Sequence, residues 1–155
     1  MIKVVISEVN PGTAEGLRSE LITQVSGQEQ VEVVGYARDG LEVAQLAAQL
    51  RPDLLFIDES MPGLDGYEAC RLATAAAPDS ICVVLCDGDL HTATEKGMRA
   101  GARAVIKRDT PAANRGQLVT QLAQLRKVKQ SDEYAIVTDP ARVPVTVAIT
   151  SAKGG

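Results

Sequence analysis

Two hydrophobic rhythms alternate along the chain. Residues 2–6, 31–36, 54–57, 81–85 and 104–106 are short runs dominated by Val, Ile, Leu and Ala, with few polar positions among them. Runs of this length suit strands buried on both faces of a parallel sheet. Between them, apolar residues recur three and four apart: Ala14, Leu17, Leu21, Ile22 and Val25, then Leu41, Ala44, Ala48 and Leu50, and later Leu118, Leu122 and Leu125. Such spacing predicts helices that lay one stripe on a sheet. A further helix is predicted over 66–76 and a weakly amphipathic one over 92–100. Asp39 with Glu42, and Asp65 with Glu68, read as capping pairs at helix starts. Ser26-Gly27 and Gly101 read as helix stops, and Asp109-Thr110-Pro111 as the start of the last helix. Five strands alternating with five helices predict an α/β fold, a doubly wound parallel sheet with helices on both faces.

The third strand ends on an acid. Residues 52–69 read PDLLFIDESMPGLDGYEA, and Asp58 closes the apolar run. The carboxyl end of a strand in an open α/β sheet is where ligands bind. Met61-Pro62-Gly63 then turns the chain towards the helix capped by Asp65. A rigid strand and a tight turn thus present Asp58 at the mouth of the sheet.

Composition narrows the class. At 155 residues, 45% of them hydrophobic, the chain can build one sizeable core. It has no Trp and a single Phe, Phe56, so that core must be made of Val, Ile, Leu and Ala. A net charge of −4 argues against broad binding to nucleic acid or an anionic membrane. The three cysteines, Cys70, Cys82 and Cys86, lack metal-ligand spacing, and the last two lie in or beside an apolar run. They read as buried, reduced thiols of a cytoplasmic protein. No signal peptide and no apolar segment of membrane length is apparent.

The segment DESMPGLDGYEACR resembles the phosphoacceptor segment of response-regulator receiver domains: an apolar strand, Asp, two residues, then Met-Pro-Gly-x-Asp-Gly. The resemblance covers about residues 1–127 and implies the flavodoxin/CheY-like strand order 2-1-3-4-5. It puts Asp58 at the phosphoacceptor position and Lys107 at the position of a lysine that follows the fifth strand. Phosphoryl transfer to a carboxylate needs a cation and positioned donors. An active member of the family therefore carries two acids after the first strand for Mg²⁺ and a Ser or Thr after the fourth.

This chain departs from that pattern. Glu8-Val9 replaces the acid pair, Cys86 replaces the Ser or Thr, and Asp87 follows where a small residue is usual. Valine offers no oxygen to a metal, and a thiol is a poor donor. Glu8, Asp58 and Ser60 are the remaining candidates for Mg²⁺, with weak or no binding expected, and Mg²⁺ is implied as a cofactor only if the receiver is active. Lys107 is expected to pair with Asp58 and hold the pocket together without phosphate.

Residues 128–142 read as a polar linker, and 143–150 are β-rich again. Ser151-Ala152-Lys153-Gly154-Gly155 is similar to the start of the P-loop of ParA/MinD-type ATPases, which places Lys153, Gly154 and Gly155 at a nucleotide. Three units follow: a receiver-like domain over 1–127, a linker over 128–142, and over 143–155 the start of an ATPase domain. In that order they resemble the TadZ/CpaE family of Tad (Flp, type IVb) pilus assembly proteins. The implied role is a localisation and protein-interaction module that works without phosphorylation. The alternative is a phosphorylatable receiver, with a histidine kinase as partner and Asp58 as acceptor.

No enzyme is expected in this piece, because nothing after Lys107 supplies catalytic groups and His91 stands alone. ATP binding is not expected either. Protein partners or a second copy of the chain are expected on the face made by the last two helices and the fifth strand, through Arg99, Arg115 and Gln121. No nucleic-acid partner and no membrane insertion is expected. The β-rich tail is expected to add to this domain's sheet edge or to a neighbouring chain, since lone strands leave unpaired backbone groups.

Overall fold

The computed structural model describes residues 1–8, 11–24, 30–128, 133–139 and 142–149. The elements are β1 (Ile2–Ser7), α1 (Pro11–Gln24), β2 (Val31–Ala37), α2 (Gly40–Leu50), β3 (Leu54–Asp58), α3 (Gly66–Ala76), β4 (Ile81–Cys86), α4 (Leu90–Ala100), β5 (Ala104–Lys107), α5 (Ala112–Val128), β6 (Glu133–Asp139) and β7 (Arg142–Ile149). The first five strands form a parallel sheet in the order β2-β1-β3-β4-β5, as the resemblance implied. The third and fourth strands are buried along their whole length. This explains why their sequences are apolar without alternation: helices cover both faces.

The pleat divides the core in two. Ile2, Val4, Ile6, Leu54, Phe56, Ile81 and Val83 point to one face, where Ala14, Leu17 and Leu21 of α1 and Leu118, Val119 and Leu122 of α5 cover them. Val5, Leu55, Ile57, Cys82 and Val84 point to the other, under Val43 and Ala47 of α2, Ala69, Cys70 and Ala73 of α3, and Ala93 and Ala100 of α4. Small residues on those three helices let them approach the sheet closely. All three cysteines are free and buried, as the apolar run suggested for Cys82 and Cys86. Helix starts follow the capping signals: the Asp39 carboxylate accepts from the Glu42 N–H at 2.8 Å and Asp65 from that of Glu68 at 2.9 Å. Asp89 caps α4 in the same way, through Thr92.

Two expectations about helix faces fail. In α2 the inward stripe is Val43, Leu46 and Ala47, while Leu41, Ala48 and Leu50 are exposed. The start of the helix sets this phase. Gly40 lies so near the β3–α3 loop that a Cβ would come within 2.5 Å of the Leu64 carbonyl oxygen. In α1, Ala14, Leu17 and Leu21 face inward but Ile22 is exposed. Val25, Ser26 and Gly27, and the side chain of Leu125, lie outside the described residues.

The segment read as a linker contains a strand. β6 pairs antiparallel with β7 as a two-stranded sheet of its own, with Tyr134 opposite Ala148 and Val137 opposite Val145. Among the described residues the tail's backbone thus pairs with the residues just before it and does not join the five-stranded sheet. A hairpin closes a short loop, whereas joining a distant edge orders more chain. The run Tyr134-Ala135-Ile136-Val137-Thr138 carried the β-forming composition that the flanking charges obscured. Residues 151–155, with Lys153, Gly154 and Gly155, lie outside the described residues.

Candidate functional site

The carboxyl ends of β1, β3, β4 and β5 converge on one edge of the sheet, and each delivers a charged residue there. β3 delivers Asp58, whose backbone is pinned by the next helix. A Cβ on Gly66 would lie 2.2 Å from the Asp58 carbonyl oxygen and 2.7 Å from Glu59 Cα, so only glycine lets α3 start this close. The Gly66 N–H donates to the Glu59 carbonyl at 2.9 Å. Asp58 is buried, and its Oδ1 accepts the Ser60 N–H at 3.0 Å. Glu59 ties the loop sideways: it accepts from the Tyr67 hydroxyl at 3.0 Å and from the Asp87 N–H at 2.7 Å.

A single guanidinium fills the centre of this edge. Arg108, the residue after β5, sends Nη1 to Glu8 Oε2 at 2.6 Å, Nη2 to Asp58 Oδ1 at 2.8 Å and Nε to Asp87 Oδ1 at 2.9 Å. Three carboxylates from three different strand ends therefore share one cation. The side chains of Glu8 and Asp58 are 6% and 8% exposed, so two of the three ion pairs are shielded from water. The backbone of Arg108 is held as well. Its N–H donates to the Cys86 carbonyl at 2.9 Å, and its carbonyl accepts from Arg115 Nη1 at 2.7 Å. Arg115 in turn pairs with Glu20 of α1. A cleft of about 210 Å³ opens beside Arg108, lined by Leu17, Glu20, Leu85 and Arg115 among others.

The electrostatics reflect the crowding. Burial raises the Glu8 pKa above its ordinary value of 4.5, and the field of Asp58 adds to it, although Arg108 pulls the other way. Desolvation thus outweighs a short ion pair at this carboxyl. Burial also works against the charge on Arg108, but the hydrogen bonds to Asp87 and Glu8 and the fields of Asp58 and Glu8 outweigh it and raise its pKa. Arg108 stays charged throughout the physiological range. Burial, with the nearby Glu59, pushes the Cys86 thiol up, so it remains protonated.

The sequence-derived site residues are partly brought together. Glu8, Asp58 and Asp87 meet at Arg108. Cys86 is buried beneath them. Ser60 contributes its backbone N–H to Asp58. Lys107 is half-buried at the end of β5, but the ion pair expected of it at Asp58 is made by Arg108 instead. The strand ends at Lys107, and it is the turn residue after it that reaches the three carboxylates. Val9 lies outside the described residues. Arg108 was missed; the Lys107-Arg108 doublet was its one signal in the sequence. Of the proposed contact residues, Arg99 is exposed and Gln121 half-buried. Arg115 is committed to Glu20 and the Arg108 carbonyl inside the α1–α5 contact, so it is no exposed contact.

Comparison with known proteins identifies the family and the fold. The profile of the response regulator receiver domain family matches residues 14–138. A protein-glutamate methylesterase/protein-glutamine glutaminase of Myxococcus xanthus is 38% identical over 109 residues, which are 69% of this chain and 30% of that protein. The chain thus spans under a third of the length of that relative. The receiver domain of AraT, a response regulator from Geobacillus stearothermophilus, superposes with a TM-score of 0.71 at 26% identity, over 84% of this chain and 98% of that one. A sensor histidine kinase receiver domain from Pseudomonas aeruginosa superposes with a TM-score of 0.68 at 20% identity, over 79% of this chain and 98% of that one. That structure holds a magnesium ion in its active-site cleft.

The residues here do not fit such an ion. Mg²⁺ asks for near-octahedral oxygens. Glu8 and Asp58 each spend an oxygen on Arg108, whose own charge lies between them. Among the described residues no three His, Cys, Asp or Glu side chains are grouped to hold a metal. No helix among them is long and apolar enough to cross a membrane.

Proposed function

Because this chain belongs to the response regulator receiver domain family, we propose that it is an atypical receiver that works by protein contact, without phosphorylation at Asp58. The observation that carries this reading is the Arg108 guanidinium lying across Asp58 and joining it to Glu8 and Asp87. A phosphoacceptor carboxylate must be open to an incoming dianion and keep its nucleophilicity. Here Asp58 Oδ1 takes two donors, and Glu8 and Asp87 add negative charge at the entrance. The buried Cys86 thiol, kept protonated, is a weak donor where transferred charge would need a strong one.

The role proposed for this module is localisation of a Tad pilus assembly ATPase. Its support is the order of units in the sequence, a receiver followed by Lys153-Gly154-Gly155. The exposed α4 surface that includes Arg99 is the proposed docking face for protein partners or a second copy. The competing reading, a phosphorylatable receiver served by a histidine kinase, keeps one point in its favour: Asp58 does stand at the end of β3.

Intact-mass analysis after incubation with acetyl phosphate or phosphoramidate and Mg²⁺ decides between them. The expected result is no phosphoryl adduct. A stoichiometric adduct on wild-type protein that Asp58→Asn removes would overturn the proposal.

A further inference from the structure

We propose that Arg108 is a built-in cation that holds the seat of a divalent ion, so that the strand-end carboxylates stay bridged by a positive charge whether or not metal is present. The inference deepens the phosphorylation-independent reading by naming what sets the state of the pocket.

Three facts carry it. The guanidinium gives each of its three nitrogens to a different carboxylate, from the ends of β1, β3 and β4. Parallel pairing of β1, β3 and β4 sets those three ends side by side, and like charges brought together there repel the more for being partly buried, so a cation among them is needed. The backbone from which this side chain springs is also fixed: the Arg108 main-chain N–H donates to the Cys86 carbonyl and its main-chain carbonyl accepts from Arg115, so the guanidinium starts from a set point beside the carboxylates.

Charge counting shows what the seat would do if emptied. Three carboxylates against one guanidinium leave a local charge of about −2, and loss of Arg108 makes it about −3, partly shielded from water. The guanidinium spreads the carboxylates wider than the direct ligands of one bare ion, in keeping with the lack of a metal-ready cluster among the described residues. The occupant that replaces it is therefore a divalent cation that keeps some of its waters, as Mg²⁺ readily does. In the wild-type chain such an ion must displace a tethered charge and pays for its repulsion. The pocket of this protein should then be indifferent to Mg²⁺ at concentrations at which a receiver with an open acid cluster responds.

The test is a comparison of wild-type, Arg108→Met and Arg108→Met/Asp58→Asn chains, titrated with MgCl₂ or MnCl₂ against NaCl of matched ionic strength. Calorimetry reads binding and thermal melting reads stabilisation. Wild type should show no saturable heat and no ion-specific shift. Arg108→Met should bind at least tenfold more tightly, about 1.4 kcal/mol, and the added Asp58→Asn should weaken that binding again. An Arg108→Met chain that folds only with the divalent ion, and not with sodium, supports the proposal equally. Saturable wild-type binding as tight as in Arg108→Met would overturn it. So would an Arg108→Met chain, folded or not, on which Mg²⁺ and Mn²⁺ have no effect beyond sodium. Phosphodonor labelling of Asp58 is a separate readout, so the cation assignment and the phosphorylation-independent reading can fail independently.

Discussion

Replacing Gly66 by alanine tests whether the backbone beneath Asp58 is as tightly held as the structure requires. The new Cβ would sit 2.2 Å from the Asp58 carbonyl oxygen and 2.7 Å from Glu59 Cα, both backbone atoms that cannot swing aside as a side chain could. Either α3 must back away or the strand end must shift. Overpacking of this kind costs about 1–3 kcal/mol. Moving the helix also strains the 2.9 Å bond from the Gly66 N–H to the Glu59 carbonyl, a contact worth about 1 kcal/mol. Against this, alanine is the better helix former by up to about 1 kcal/mol. The net expectation is a loss of about 1–3 kcal/mol, or a fall in Tm of about 3–10 °C for a domain of this size. Gly16→Ala is the matched control. Gly16 is exposed within α1 and a Cβ there meets nothing within 4 Å, so alanine should stabilise by about 0.5–1 kcal/mol. Urea denaturation and calorimetry measure both. A Gly66→Ala chain as stable as wild type, or one that gains stability as Gly16→Ala does, would refute the close approach of α3 to the strand end.

Two further outcomes follow from the same geometry. Because the Glu8 pKa is raised in the fold, its contribution to stability is complete below 4.5 and is lost as pH rises through the folded value. Glu8→Gln removes that titration, so the Tm of the variant minus that of wild type should climb as pH rises through the window just above 4.5. A difference that falls across that window would mean that the pairing with Arg108 outweighs burial. Asp39→Ala should cost about 0.5–2 kcal/mol in urea denaturation, because it strips the cap from the Glu42 N–H, whereas Asp39→Asn should cost less.

Much of the scaffold was legible because its rules are local. An unbroken apolar run such as 54–57 can only be satisfied by cover on both faces, and the alternation of strands with helices then dictates a parallel sheet. Asp39 and Asp65 announce their helices because a cap and the N–H it serves are three residues apart. The hairpin of β6 and β7 was missed because charged neighbours masked a short β-forming run.

The candidate site divides along the same line. Asp58 was readable as the acid at the end of a strand, and Glu8, Asp87 and Lys107 as charges at the ends of others. Their partner was not. Which of Lys107 and Arg108 turns into the site depends on where β5 ends and on the bond that Arg115 makes to the Arg108 carbonyl, a matter of helix–strand packing. Likewise, the stripe of α2 that meets the sheet is set by a contact between Gly40 and Leu64, 24 residues apart and so beyond any periodicity count. The sequence by itself determined the elements, their order and the acid at the strand end, because hydrophobic burial and capping act over a few residues. Only the tertiary structure decided that Glu8, Asp58 and Asp87 share one guanidinium, because that pairing exists only once four strand ends, up to 100 residues apart, reach the same edge of the sheet.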